Sequence, residues 1–167
     1  MQFQYEIQPD HLVRVLRAVG HALVTPAQLL GSIGESLLRV NDERHAQGLA
    51  PDGTRWAELS PLTQQTKRRP QMLYENGDLL RFQYQVQGDS VAIGTTDWKA
   101  IFHHNGTRPY VIRPKTAKAL RFAGIMRKQV RHPGLPARPL VGFPDSDRRL
   151  TEDVVEDHLM AVLNASR

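Results

Sequence analysis

Residues 80–95 read LRFQYQVQGDSVAIGT and predict a β-hairpin more clearly than any other part of the sequence. The apolar residues of its first half alternate with polar ones, which is the period of a strand with one buried face: Leu80, Phe82, Tyr84 and Val86. Gly88-Asp89 is typical of a tight turn, after which the apolar run resumes at Val91. The opposite face of the first strand is rich in glutamine, so it is expected either to be solvated or to contact a partner subunit.

Helical patterns precede this hairpin. After a short predicted strand at 3–7, a first helix is predicted with Asp10 as its N-cap. A second helix is predicted to begin at Thr25-Pro26, a capping residue followed by proline at the first helical position. Its apolar residues recur every three to four positions, and it is predicted to end near Gly48.

Shorter elements surround the hairpin. Turns are predicted at 51–53, 76–78 and 105–106. The pattern also predicts a short basic helix at 60–69 and a second short helix at 98–103. Three further strands are predicted, at 110–112, at 119–122 and in a stretch that ends at 129–130. A last helix is predicted at 145–164. Together these elements predict an α+β fold, with a mainly antiparallel sheet packed against N-terminal helices and a C-terminal helix.

The length of 167 residues favours one domain with a real core, expected over residues 1–167. Its expected parts are an N-terminal strand and helices (1–48), a sheet region (72–130), a basic proline-rich loop (131–144) and the C-terminal helix (145–164). The lack of cysteine excludes disulfides and thiolate metal sites. No apolar run approaches the roughly 20 residues that span a bilayer, and the N-terminus lacks signal-peptide features. No membrane contact is therefore expected, and the chain is expected to stay in the cytoplasm where it is made.

The net charge of +5 is unevenly distributed. Residues 98–144 contain no Asp or Glu and hold ten basic residues: Lys99, Arg108, Arg113, Lys115, Lys118, Arg121, Arg127, Lys128, Arg131 and Arg138. The rest of the chain has 12 basic and 17 acidic residues and is net −5. This asymmetry indicates an electrostatic partner, either nucleic acid or the acidic surface of a neighbouring subunit. A solvated basic loop is the alternative.

Three histidines are the candidates for chemistry, and none has the neighbours that a reaction needs. His103 and His104 are adjacent on a predicted helix and point in different directions, so one metal ion cannot readily bind both. His132 lies far along the sequence. Motifs for a nucleophile elbow or a phosphate-binding loop are missing. No catalytic, cofactor-binding or metal-binding residue is expected, although a hydrolase that uses these histidines stays as an alternative.

Nucleic-acid binding is the other alternative for the basic stretch. Its aromatic residues could stack on bases, but Tyr110 and Phe122 lie in predicted strands, where core packing is favoured. No recognition-helix or zinc-finger pattern is present. The alternative is therefore a DNA-binding accessory protein, or non-specific contact with the phosphate backbone of passing DNA.

Four segments in the same order resemble the phage virion-morphogenesis family, the tail-completion proteins of Mu-like phages. They are PDGTRW at 51–56 with Leu59 and Thr63, LYENGDL at 73–79, IGT at 93–95 with FHHNG at 102–106, and RHPGLPARPLVG at 131–142. The fourth is the most specific. Residues 111–122 also resemble a wider group of siphophage neck proteins. The resemblance covers roughly residues 45–160, and Asn76-Gly77 departs from it by replacing an expected Thr-Gly.

The resemblance implies a non-enzymatic virion subunit at the head–tail junction or the head-proximal end of the tail. Such a subunit completes the tail, as a tail terminator or neck connector, and makes it competent to join the head. The expected partners are copies of the chain itself in a hexameric ring, and neighbouring neck or tail-tube proteins.

The residues themselves suit docking. Three prolines stiffen 131–139 and reduce the entropy lost on binding, so this basic segment is predicted to contact an acidic neighbour, with a plain surface connector as the alternative. Trp56 is predicted to anchor the core or an interface. The candidate interface residues are Trp56, Arg113, Lys115, Lys118, Arg131, His132, Pro133, Gly134, Leu135, Pro136, Arg138 and Pro139.

Overall fold

The computed structural model describes residues 9–24, 26–69, 71–74, 79–122 and 124–165. Its helices are α1 (Pro9–Val24), α2 (Ala27–Gln47), α3 (Pro61–Thr66), α4 (Ala100–Asn105) and α5 (Asp145–Ala165). Its strands are β1 (Gln83–Gln87), β2 (Ser90–Gly94), β3 (Tyr110–Ile112), β4 (Leu120–Phe122), β5 (Ile125–Arg127) and β6 (Val130–His132). The α+β class is confirmed. The strand predicted at 3–7 and the turn at 76–78 lie outside the described residues.

The chain forms two compact units. The first contains residues 1–38, 84–93 and 145–167, and the second contains 39–83 and 94–144. The expectation of one domain over 1–167 stays a prediction. Within the described helices, none is both long and apolar enough to cross a membrane.

Residues 84–93, most of the hairpin, lie in the first unit, and β1 and β2 pair across the tight turn at Gly88-Asp89. Its apolar face packs on α2, whose buried residues recur every four positions, at Leu29, Ile33 and Leu37. Val91 and Ile93 of β2 and Leu150, Val154 and Val155 of α5 pack against them. Gly34 permits this approach, because a Cβ atom there would stand 2.5 Å from Cδ2 of Tyr84.

The N-terminal helix boundaries differ slightly from the prediction. α1 begins at Pro9, so Asp10 lies within the helix and is not its N-cap, which corrects that prediction. α2 begins at Ala27, and the carbonyl of Pro26 accepts a hydrogen bond from the backbone N–H of Leu30 at 2.8 Å. The helix ends just before Gly48, as predicted.

The short helices α3 and α4 also have different bounds. Ser60 caps α3 as predicted, since its hydroxyl accepts a hydrogen bond from the Thr63 N–H at 3.2 Å. The helix ends at Thr66 because Lys67 is extended, so the prediction of a basic helix to Arg69 is wrong. α4 starts two residues later than predicted and ends at Asn105, followed by Gly106, whose φ is +71°.

The strands pair two by two, and not in the single sheet that the pattern predicts. β3 pairs antiparallel with β6, and β4 pairs antiparallel with β5. The sequence predicted neither pairing. β6 includes Arg131 and His132, so the proline-rich loop begins at Pro133, two residues later than predicted.

The core of the second unit is built from Ala50, Trp56 and Leu140. Leu80 and Phe82 pack against this core, and the first hairpin strand begins after them, at Gln83, which corrects its predicted start at Leu80. The remaining apolar contacts come from Met72, Leu73 and Ala100.

Candidate docking surface

Residues 133–142, which we name the pinned segment, form no helix or strand and are fixed by hydrogen bonds to distant parts of the second unit. Proline has no N–H and cannot join a sheet interior, so the polar groups of this backbone must find other partners. The carbonyl of Pro139 accepts a hydrogen bond from Trp56 Nε1 at 2.9 Å. The carbonyl of Leu140 accepts one from His45 Nε2 at 2.7 Å. Side chains from α2 and from the segment that follows it thus hold one side of the pinned segment.

The other side is held by α4 and the turn after it. The N–H of Arg138 donates to the carbonyl of His103 at 2.7 Å, and the N–H of Leu140 donates to His104 Nδ1 at 3.2 Å. The N–H of Leu135 donates to Thr107 Oγ1, while the Thr107 N–H donates back to the Leu135 carbonyl, both at 2.9 Å. This reciprocal pair fixes the segment against the turn.

Two glycines allow the backbones to approach this closely. Gly134 has a φ of +94°, and a Cβ atom there would collide with the carbonyl oxygen of Thr107. A Cβ atom at Gly106 would stand 2.7 Å from the carbonyl oxygen of Leu135. Both positions therefore require glycine for space as well as for conformation.

Arg138 faces inward, contrary to its predicted place on a docking surface. Arg138 is only 3% exposed. Its Nε donates to the carbonyl of Ala57 at 2.8 Å and its guanidinium donates to the carbonyl of Glu58 at 3.0 Å. Burial lowers the pKa of the guanidinium, which nevertheless remains protonated. Arg138 therefore joins two chain segments and is removed from the surface that the chain presents.

Trp56 is 5% exposed, so of the two alternatives, core or interface anchor, this chain uses it in its core. Its ring lies 5.4 Å from the ring of His45, which also lies 4.9 Å from the ring of Phe82. Nothing in the sequence pattern marks His45 as a core residue. Burial lowers the pKa of His45 and outweighs the opposing effects of the Leu140 carbonyl and of Asp42. A buried neutral imidazole is thus part of this core.

The candidate histidines form structural hydrogen bonds. His104 Nδ1 and His132 Nδ1 accept backbone N–H groups, the latter from Gly134 at 3.1 Å, and a nitrogen that accepts is unprotonated. Burial lowers the pKa of His103, and the charge of Arg138 adds to this effect. Among the described residues, no three His, Asp or Glu side chains are grouped so that they could hold a metal ion.

Most of the exposed basic residues of the acid-free stretch lie on residues 108–132, which we name the cationic arm. The arm contains two ladders, β3 with β6 and β4 with β5. The loops that connect them differ in length: seven residues (113–119) separate β3 from β4, but only two (128–129) separate β5 from β6. The longer loop carries three of the predicted docking residues, Arg113, Lys115 and Lys118. All eight basic residues of the arm are exposed: Arg108, Arg113, Lys115, Lys118, Arg121, Arg127, Lys128 and Arg131.

Exposed apolar side chains lie among these charges. Val111 pairs with Arg131 across the first ladder, and Met126, which is 64% exposed, pairs with Arg121 across the second. Tyr110 is 46% exposed and stacks on His132 with ring centroids 4.8 Å apart, so the prediction that Tyr110 packs in the core is wrong. The arm thus alternates apolar and cationic groups on a surface that solvent reaches.

The remaining predicted docking residues lie in the pinned segment. Pro133, Pro136 and Pro139 are exposed, whereas Gly134 and Leu135 are half-buried against the turn at Thr107. The structure therefore combines a fixed, proline-lined edge with an exposed cationic arm. Both are suited to protein contact.

Comparison with known proteins gives a single assignment. Neither a curated protein nor a solved structure matches the chain. The model of one family matches residues 7–160 of the 167, a range that includes the pinned segment, the cationic arm and both cores. The chain therefore belongs to the phage virion morphogenesis family.

Proposed function

We propose that this chain is a non-enzymatic structural subunit at the head–tail junction of a tailed phage. There it completes the tail, as a terminator or neck connector, and makes it competent to join the head. Membership of the family gives the coarse role, in the assembly of the virion. We further propose that copies of the chain form a ring at the head–tail junction, expected to be hexameric. This ring would contact neck or tail-tube proteins.

The cationic arm is the observation that carries this proposal. It exposes eight basic side chains and no acidic one, with apolar side chains between them. A surface of one charge sign attracts a complementary surface and prevents like-charged partners from binding. The pinned segment next to it in sequence is fixed before any partner binds, so contacts that it makes lose little conformational entropy.

Complementation of a phage that lacks this chain tests the proposal. Without the chain, we expect full heads and tails that remain unattached in electron micrographs. The wild-type chain should restore joining, whereas the triple variant Arg113→Glu, Lys115→Glu, Lys118→Glu should fold but restore little infectivity. Reversal of two exposed arginines on α1, Arg14→Glu and Arg17→Glu, is the matched control. Normal particle yields without the chain would contradict the proposal.

DNA binding is the second candidate function. It is favoured by the same eight exposed cations and by Trp98, which is 72% exposed and lies edge-on to Phe102 at 5.6 Å. A protein that neutralises phosphates loses DNA affinity steeply with salt. Titration of labelled duplex DNA at rising salt concentrations separates the two candidates. Tight, salt-sensitive binding that the triple variant loses, together with normal head–tail joining by that variant, would favour DNA binding.

A further inference from the structure

The first unit carries an acidic surface on α5. Its residues 150–165 include Glu152, Asp153, Glu156 and Asp157 but no Lys or Arg. All four carboxylates are exposed, and they form two like-charged pairs at a spacing of four residues. Such pairs repel each other within a helix, and the only Arg or Lys residues of α5, Arg148 and Arg149, lie one turn before the first carboxylate of each pair.

An apolar groove runs along the same helix. It has a volume of about 530 Å³, and Val155, Leu159, Met160 and Leu163 line it. Glu152 and Glu156 stand at its edge, so an apolar floor is bordered by carboxylates. Half of the Met160 surface is open to solvent.

The cationic arm has the complementary pattern. Two of its exposed apolar side chains, Val111 and Met126, lie across the ladder from an arginine, Arg131 and Arg121 respectively. Two-stranded ladders of three residue pairs are marginally stable in water, so the arm gains stability from a partner that covers its apolar groups. The partner should offer apolar surface next to negative charge, and α5 offers both.

We infer that the cationic arm of one copy docks into the α5 groove of the next copy. This inference rests on the proposed function, whose ring of identical subunits it explains. The two surfaces differ, so the contact is head-to-tail, and such a contact generates a ring when its rotation closes. The asymmetry between the acid-free stretch and the acidic remainder of the chain thereby has a physical use.

A second copy fits these observations better than DNA does. Phosphates would satisfy the cations, but their charged oxygens offer no apolar contact for Val111 and Met126. DNA would also leave the acidic edge of the groove without a partner.

Chemical cross-linking tests the contact directly, because the chain has no cysteine of its own. Cysteines are introduced as Met126→Cys on the arm and Met160→Cys on α5, and a short bis-maleimide links them. In the double variant we expect a ladder from dimers up to the closed ring, both in purified protein and in assembling particles. A mixture of the two single variants should give dimers only. Met126→Cys with Leu62→Cys, a similarly exposed site on α3, is the matched control and should not form a ladder.

Charge exchange supplies an independent readout by analytical ultracentrifugation. Arg121→Glu with Arg131→Glu should weaken self-association at least about tenfold, and Glu152→Arg with Glu156→Arg should do the same. All four changes in one chain restore opposite charges and should restore assembly. A mixture of the two double variants should assemble as well. Circular dichroism of each variant verifies that it is folded.

Two outcomes overturn the inference. One is that no link between positions 126 and 160 forms in purified protein or in particles, although the variant chain is incorporated. The other is that the arm variant loses assembly while the α5 variant assembles normally. Either result leaves the proposed function standing, whereas absence of the chain from all particles would overturn the proposed function itself.

Discussion

The pinned segment and the cationic arm come from one acid-free stretch of sequence but are held in different ways. Backbone groups of the pinned segment bond to side chains up to 95 residues away in sequence, as in the contact between His45 and Leu140. The arm is held by two short antiparallel ladders, and its basic side chains are exposed. A basic, proline-containing sequence can thus be fixed by distant hydrogen-bond partners in one part and carry exposed charges on short ladders in the next.

Hydrogen-bonding capacity explains the difference. Prolines at 133, 136 and 139 remove N–H donors, so the pinned segment cannot form a ladder and relies on side-chain partners. The arm contains one proline between its two ladders, at 114, and its strands pair with each other. Substitutions in the pinned segment should therefore change stability, and those in the arm should change association.

The largest effect is expected from Trp56→Ala. The change removes a buried indole and its hydrogen bond to Pro139, and should lower the free energy of unfolding by about 3–5 kcal/mol. Trp98→Ala, at an exposed position, should change it by no more than about 0.5 kcal/mol. Urea denaturation followed by far-ultraviolet circular dichroism measures both. Equal effects would refute the assignment of Trp56 to the core.

A glycine pair gives the next largest difference. Gly134→Ala introduces left-handed strain and a collision with the Thr107 carbonyl, and should destabilise the chain by about 3 kcal/mol. Gly124→Ala meets no atom within 4 Å, so only the conformational strain of about 1–2 kcal/mol applies in the arm. The same denaturation experiment compares them, and a larger effect at Gly124 would contradict the tight packing at Gly134.

A third comparison is between the buried Arg138 and the exposed Arg131. Arg138→Met leaves the carbonyls of Ala57 and Glu58 without their donor and should lower stability by about 2 kcal/mol. Arg131→Met, in the arm, should leave stability within about 0.5 kcal/mol but weaken association with an acidic partner. Sedimentation velocity measures association beside denaturation. If Arg138→Met proved stable but defective in joining, Arg138 would be a docking residue after all.

Local patterns in the sequence predicted the elements whose determinants are neighbours along the chain. The hairpin followed from alternation and a Gly-Asp turn, and α5 followed from its apolar stripe. The predicted extent of the hairpin was wrong at Leu80 because that residue packs in the core of the second unit, which a period of two does not show.

The pinning contacts could not be predicted in this way. Trp56 and Pro139 are 83 residues apart, and nothing near either residue indicates the other. His45 lies in the last turn of α2, and the apolar spacing that predicts this helix does not include it. The signal that was available lay in the prolines: a segment without a regular ladder needs side-chain partners for its carbonyls, and buried Trp and His are the donors that reach them.

The smallest effect should appear as a pH dependence of stability. Burial lowers the pKa of His45 from its ordinary value of 6.5, so below that pH the unfolded chain binds more protons than the folded chain. The contribution of neutral His45 to the free energy of unfolding should therefore be fully present above about pH 6.5. On acidification it should fall by at most about 1.4 kcal/mol per pH unit. His45→Gln retains a donor for the Leu140 carbonyl but cannot titrate, so it should reduce the slope between about pH 6.5 and 5.5. His103, whose pKa burial also lowers, should supply part of the remaining slope. An unchanged slope in His45→Gln would show that another group causes the loss of stability on acidification.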